Sequence, residues 1–512
     1  MELLLSSLSF YYVPCVILLV SFLSFLRHLL VANSGRNLPP GPRPLPLIGN
    51  ILDLDGAQPH RSMARLAERH GPLMTLRLGG AVTIVASSVD AARDVLQRHD
   101  AALSARSAPD IVRACAHDRF SMAWLPPSSP RWRALRKVCS AELFAPRLLG
   151  SQPQRHLRRE KARRLVSHVA RLAAAARVGG RVDVRRVVLT TLLNMLSSTV
   201  FSADLADLDN HGGSEFGDKL AEFASSVGVP NMSDYFPVVA PLDPQRLRRR
   251  LARVLSRLHA EFDEQIERRM RERAAGAPPK NDFLDVLLDY RSTEDGREFD
   301  RQTLRSLLTD LFTAAGDTNA ITIERAMTEL LRNPSSMAIA REELTQVIGT
   351  KPDLEESDIS QLKYLKAVVK ETLRLHPPVP FLLPRQAEKS IEIGGYTVPK
   401  GAKVLVNVWA IGHDNVVWLD PDKFMPERFL QSEVDFRGRH FELTPFGSGR
   451  RICPGLPLAD HMVHLTLASL LHWFEWRLPP EVEKNGVDMA EKLGVILQLV
   501  TPLQAIATPI SY

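Results

Sequence analysis

Cysteine is nearly absent, with four in 512 residues, so no disulfide framework holds this chain together. Charge of one sign is scarce too: 65 basic against 58 acidic residues leave a net +7. Over this length that is a mild bias, no case for a nucleic-acid partner, and better suited to an anionic membrane surface or an acidic protein. No Gly-x-Gly-x-x-Gly and no Walker loop occur, so no nucleotide-binding unit is evident. Repeats are missing, and no linker is long enough to divide residues 49–512. With 45% hydrophobic and 24% charged residues the composition is globular, which excludes disorder, collagen and coiled coil for most of the chain. Length alone suggests about three domains, but large enzyme domains break that rule.

Charge is wholly lacking between Leu3 and Leu26, a run of 24 residues. As a helix it reaches about 36 Å, enough for a hydrocarbon core of about 30 Å, and Pro14 is tolerable there. The start carries Glu2, and Arg27 and Arg36 follow the run. That pattern favours an uncleaved anchor with the body on the cytosolic side over the rival reading, a removed secretory signal. Pro39-Pro40-Gly41-Pro42, with Pro44 and Pro46, reads as a semi-rigid spacer. The expected division is an anchor at 1–31, a basic, proline-rich hinge at 32–48 and one body at 49–512.

Within the body, Met74–Leu78 and Val82–Val85 alternate apolar and polar across Gly79-Gly80, a β-hairpin signal. A second strand is expected at Ala402–Trp409. Helical periodicity covers most of the rest, including Arg246–Arg273, Arg301–Arg332, Ser335–Ile348, Leu362–Leu375 and Leu456–Trp473. Residues 275–280 read as a loop. The basic runs Arg155–Arg164 and Arg246–Arg250 sit on helical patterns and are expected to be solvated faces. Asn231-Met232-Ser233 matches a glycosylation acceptor that a cytosolic body would not use. His461 and His464 lack the partners of a metal site and read as packing or surface residues. The class expected is mainly α with a minor β region.

The most informative stretch is Phe446-Gly447-Ser448-Gly449-Arg450-Arg451-Ile452-Cys453-Pro454-Gly455. It places one cysteine in a glycine-flanked loop before an apolar helix, where N–H groups near the helix start favour a thiolate. Glycines let the chain approach a flat ligand, and Arg451 can reach a carboxylate. A lone thiolate does not make a zinc site, but it suits an axial ligand of haem iron. A buried, inert cysteine is the plain alternative.

This loop resembles that of the cytochrome P450 family, and the resemblance extends over essentially the whole chain. The run Trp124–Arg133 is similar to plant microsomal members, nearest the geraniol-8-hydroxylase-like terpenoid hydroxylases. The resemblance implies the P450 fold, a haem-thiolate triangular prism, preceded by a transmembrane helix. It implies haem b with Cys453 as axial ligand, Phe446 and Gly455 shaping the loop, and Trp132, Arg136, Arg385 and Arg451 toward the haem propionates. Trp132 as core filling is a rival.

Glu371-Thr372-Leu373-Arg374 can pair its charges on one helix face. Glu329-Leu330-Leu331-Arg332 has the same form and is expected to be a solvent-side pair. The resemblance places Glu371 and Arg374 with Arg428, of Pro426-Glu427-Arg428-Phe429, in a buried network.

In Leu311–Asn319, Gly316 costs about 1 kcal/mol in a helix interior, which suggests a mid-helix distortion. The family reading gives Thr318 a hydrogen bond to bound oxygen and Asp317 a part in proton delivery. An ordinary helix, with Asp317 facing water and Thr318 bonded back to a carbonyl, is the alternative. Ala315 and Asn319 depart from the family's usual glycine and hydroxyl residue, which puts pocket shape and coupling in question.

By analogy the pocket draws on Ile111, Phe120, Ala314, Val379, Phe381, Val495 and Ile496, all apolar; core packing explains any one of them as well. The activity implied is insertion of one atom of O2 into a small apolar molecule, a monoterpenoid or diterpenoid. NADPH electrons would come through a separate NADPH–cytochrome P450 reductase, with Arg133 and Lys137 as docking candidates. The expected setting is a monomer in the endoplasmic reticulum membrane. Three alternatives stand beside it: a haem-thiolate isomerase or dehydratase needing no reductase, against which the Asp317-Thr318 pair argues; a hydroxylase of another apolar metabolite or xenobiotic; and a non-catalytic haem binder.

Overall fold

The period-two pattern around Gly79-Gly80 produces the expected hairpin: Leu73–Leu78 (β1) lies antiparallel to Ala81–Ala86 (β2), with Leu78 opposite Ala81. Three further strands complete this sheet, Ala105–Arg106 (β3), Arg385–Gln386 (β4) and Lys403–Val406 (β5), in the order β1-β2-β5-β4-β3. Only the β2–β5 pair is parallel, in the register Thr83 to Lys403. The second expected strand is thus shorter than 402–409. The Asn407 side chain accepts the Ala410 N–H at 3.1 Å and starts a short helix, Val408–Gly412. The computed structural model describes residues 15–23, 37–175, 180–209, 215–292, 296–351 and 353–510.

Helices make up most of the body. Those that position the site are Pro59–His70 (α1), Pro130–Glu142 (α2), Gln152–Ala175 (α3), Val184–Phe201 (α4), Glu215–Val227 (α5), Leu247–Ala274 (α6), Arg301–Arg332 (α7), Lys363–Leu375 (α8) and Leu456–Trp473 (α9). The Asp300 carboxylate caps α7 by accepting the Thr303 N–H at 2.7 Å. Helix α7 packs against α4, α8 and α9. Both α4 and α9 are buried nearly all round, as apolar composition on every face requires.

The distortion expected at Gly316 is not found, since α7 runs unbroken. A Cβ there would lie 3.1 Å from Leu189 and Leu193 of α4, so the glycine serves close helix packing.

Two charge readings need correction. On α3, Arg158 and Lys161 turn inward, and Arg158 donates to the Glu356 carboxylate; the run is a solvated face only in part. Glu329 is buried and its Oε1 lies 2.8 Å from His376 Nε2, so only Arg332 of that pair faces solvent. Asn231 is buried and caps a helical turn, His461 pairs with Glu356, and His464 with Asp460.

Near the C-terminus Glu491–Leu493 (β6) and Leu497–Leu499 (β7) form a separate hairpin. Arg181–Asp183, Gln504–Pro509 and Phe474–Arg477 form a three-stranded sheet.

The expected anchor falls largely outside the described residues. Residues 15–23 are helical with mostly exposed side chains. Among the described residues no helix is long and apolar enough to cross a membrane. The later part of the proline-rich hinge lies against the body, with Thr75 N–H donating to Pro40 O at 2.8 Å and Gly79 N–H to Ile48 O at 3.1 Å.

Candidate active site

The cysteine loop folds back on itself through the Cys453 N–H, which donates to Phe446 O at 2.9 Å. Phe446 is half-buried against the Phe436 ring, 5.5 Å between centroids. Gly449 has φ +70°, and a Cβ there would lie 2.3 Å from Leu96 O, so the loop cannot seat without glycine. Gly455 precedes α9, and a Cβ on it would sit 3.8 Å from the Cys453 sulfur. Burial pushes the Cys453 thiol up; the N–H groups of Gly455 and Leu456 and the Arg136 guanidinium oppose this. A bound metal ion would favour the thiolate against this burial.

Residues far apart in sequence converge on this loop. The Arg385 guanidinium donates to Ser448 O at 3.1 Å and to the Asp100 carboxylate at 2.9 Å. Arg451 donates to Ser104 O at 2.8 Å and to Leu125 O, with its guanidinium 4.9 Å from the centre of the Trp132 ring. Leu497 N–H donates to Pro378 O at 2.8 Å, bringing the β6–β7 hairpin, with Val495 and Ile496 at its tip, beside Val379 and Phe381. All four keep accessible surface.

Ala314 is exposed and Thr318 half-buried on α7, although buried turns lie on both sides. The Thr318 hydroxyl donates to Ala314 O at 2.7 Å. Asp317 does not face water: it is buried, with Oδ1 3.5 Å from the Arg185 guanidinium. Burial pushes its carboxyl up and Arg185 opposes the shift. Ile111 is buried in the short helical segment Asp110–Arg119 before α2, and Phe120, just after that segment, is half-buried.

Haem fits these residues by their charge as well as by the sulfur. Arg451 is lowered to about 10, first by burial and then by Arg385 and Arg136. Burial, Arg385 and Arg451 also push Arg106 well below the ordinary guanidinium range, and its buried Nε has no partner among the described residues. Among the described residues Asp100 is the buried carboxylate that faces Arg385 and Arg451, with the exposed Glu388 acting on Arg451 from further out. Buried cations in such excess are costly unless an anion joins them, and a porphyrin with two propionates supplies a dianion. Trp132, Arg136, Arg385 and Arg451 would hold that edge, with Cys453 on the iron.

Sequence reasoning missed Arg106, Arg185 and Asp310. Asp310, on α7, accepts from Ser121 Oγ at 2.7 Å and Ala123 N–H at 3.3 Å, fixing the loop that carries Phe120. None of the three sits in a local motif. Their partners lie too far along the chain for spacing to reveal them.

The fold and this loop define a haem-thiolate oxygenase. A family model, Cytochrome P450, matches residues 39–504. The chain is 46% identical over 479 residues to a geraniol 8-hydroxylase of Swertia mussotii, covering 94% of this chain and 95% of that one. It is 41% identical to a ferruginol synthase of Salvia miltiorrhiza (95% and 96% covered) and 44% to a 7-ethoxycoumarin O-deethylase of Helianthus tuberosus (96% and 98%). The chain belongs to the cytochrome P450 family; it is a monooxygenase that uses haem b, O2 and electrons from NADPH.

Proposed function

We propose that this monooxygenase hydroxylates a terpenoid, drawing its electrons from a separate NADPH-dependent flavin reductase at the endoplasmic reticulum membrane. The observation that supports the reading is that Ala314, Phe120, Val379, Phe381, Val495 and Ile496 are all apolar and all keep accessible surface. The geraniol 8-hydroxylase and ferruginol synthase relatives point the same way. The deethylase relative makes another apolar metabolite the competing substrate class.

Bound haem supplies the oxygen-activating chemistry, one oxygen atom going to substrate and the other to water. The chain supplies placement, dryness and protons. Cys453 would hold the iron and the arginines and Trp132 the propionates, while the apolar side chains exclude water and orient a greasy substrate. Asp317 lies one residue before Thr318, and burial gives its carboxyl the ability to exchange a proton nearer neutrality than a surface acid. Arg185 holds it in place, and the Thr318 hydroxyl can exchange its bond to Ala314 O for one into the pocket. Asp317→Asn is expected to lower product formation about 100-fold with normal haem content. Coupled turnover at the parent rate would remove the proton role.

Lys137 and Arg133 are exposed on α2, away from the face carrying Trp132. Lys137→Glu is expected to slow reduction several-fold at low salt, the deficit shrinking as the screening length falls below about 10 Å. Stopped-flow reduction unaffected across ionic strength would exclude this docking site. For the membrane setting, Leu45, Leu47 and Leu52 are exposed beside Met232, Val238 and Leu242. Gly79 N–H donates to Ile48 O and Gly80 N–H to Tyr235 O, so these exposed apolar residues belong to neighbouring segments. Microsomes carrying the chain and a reductase, given a terpenoid panel and NADPH, should yield products 16 mass units heavier than one substrate (the mass of one oxygen atom; ~16). Turnover without NADPH, or none with any terpenoid, would overturn the reading.

A further inference from the structure

A two-stranded hairpin is marginal in water unless something holds it, and β6–β7 is held at both ends. At the tip, Gly494-Val495 lies against Gly228, just beyond α5. A Cβ on Gly228 would sit 2.6 Å from Gly494 Cα and 2.7 Å from Val495 N. At the base stands Glu491, buried in β6. Its Oε1 accepts from Arg325 at 2.7 Å and its Oε2 from Arg61 of α1 at 2.9 Å. His376 Nδ1 lies 3.6 Å from Oε1 and His60 Nε2 3.9 Å from Oε2. Burial works against this ionised carboxyl, but His376, Arg325 and Arg61 more than offset it and hold Glu491 at about 2.

The partner on α7 matters most. Arg325 is itself buried, and its Nε and Nη1 have no partner among the described residues. It stands seven residues beyond Thr318, two turns along the same face of α7. One carboxylate therefore fixes the hairpin to the helix that carries Ala314 and Thr318, to α1, and to the segment after α8 that leads through Pro378 to Val379 and Phe381.

We propose that Glu491 is a positioning residue for the substrate pocket: by anchoring the β6–β7 hairpin to Arg325, Arg61 and His376 it sets how far Val495 and Ile496 reach over the substrate, and so which carbon is oxidised. This rests on the reading of those two side chains as pocket wall. Glu491 touches no reacting atom and acts through the hairpin alone. A pure stability role would lower the yield of holoenzyme and leave the pocket of the surviving molecules unaltered.

The test uses purified full-length holoenzyme as parent, Glu491→Gln, Glu491→Asp and Gly228→Ala. 4-Phenylimidazole, whose nitrogen binds the iron while its ring meets the pocket wall, is titrated by the Soret shift, and backbone exchange is followed at residues 491–499. Expected is a dissociation constant changed by at least about fivefold in Glu491→Gln, with faster exchange along the hairpin, because displacement of about 1 Å has large effects in such sites. Glu491→Asp should fall between parent and Glu491→Gln, and Gly228→Ala should change affinity from the other end. With any substrate the parent turns over, the ratio of product positions should shift in the same variants. Parent-like phenylimidazole affinity and parent-like exchange in Glu491→Gln overturn the proposal, whatever its melting temperature; if that variant yields no holoenzyme, the same result in Glu491→Asp does so. A parent inactive toward every terpenoid would defeat the substrate reading, while the phenylimidazole titration would still decide the role of Glu491.

Discussion

Serine in place of Cys453 is expected to leave a folded protein that has lost the spectroscopic signature of thiolate ligation and nearly all turnover. The exchange keeps the shape of the loop: the backbone bond from residue 453 to Phe446 O does not involve the side chain, and the smaller oxygen fits where the half-buried sulfur sits. What changes is the donor. A serine hydroxyl ionises far less readily than a thiol, so the N–H groups of Gly455 and Leu456 and the charge of Arg136 face a neutral alcohol. No nearby residue can substitute. Cys139 is buried in α2, its thiol pushed up to about 12 by burial and then by Asp310, and among the described residues no cluster of metal-binding side chains occurs. Loss of electron donation to the iron is expected to cost at least about a thousandfold in rate, or about 4 kcal/mol of barrier. The reduced carbon-monoxide spectrum and NADPH-dependent product formation check this together. An unaltered Soret band with full turnover would mean that another ligand holds the iron.

The parts of this protein legible in the sequence are those whose cause is local. Helices α7 and α9 match their periodic runs residue for residue because each end is marked nearby: α7 by the Asp300 cap and Pro334, α9 by Gly455 and the switch to the strand at Phe474. The hairpin at Gly79-Gly80 was legible for the same reason. The cysteine loop carries its glycines and arginines within ten residues, so its chemistry was readable before its geometry. What escaped depends on partners distant along the chain. Arg158 looked like one more surface arginine because its partner, Glu356, lies 198 residues away. Glu491 belongs to no motif, and Arg325 stands 166 residues before it. Gly316 is a related case: the space it leaves is filled by Leu189 and Leu193 of another helix, which the local pattern does not show. Spacing shows which residues share a face and leaves open what that face meets.

The two Glu-x-x-Arg pairs make the same point quantitatively and should respond very unequally to mutation. Glu371 is fully buried and accepts four donors. Oε1 receives Arg374 Nη2 at 2.8 Å, Met425 N–H at 2.8 Å and Arg428 Nε at 3.1 Å; Oε2 receives Arg374 Nε at 2.7 Å. Arg374 also donates to Pro421 O at 2.6 Å and Lys423 O at 3.1 Å, and Arg428 to Leu419 O at 2.8 Å. One carboxylate thus ties α8 to the segment 419–428 that leads toward the cysteine loop. Glu371→Ala strands two guanidinium groups and a backbone N–H, at a cost of about 3–5 kcal/mol. That is a large share of the about 5–15 kcal/mol by which domains are stable, and the segment it releases runs on into the loop that must grip the haem. The expected product is expressed chain with little haem per polypeptide. Arg332→Ala should leave haem content and melting temperature near the parent's, within about 1 kcal/mol, because Arg332 is 42% exposed and Glu329 keeps His376 at 2.8 Å. Haem per polypeptide and thermal unfolding, measured on both variants, separate the pairs. Normal haem in Glu371→Ala would show that the network is dispensable, and equal losses in both would show that burial does not distinguish them.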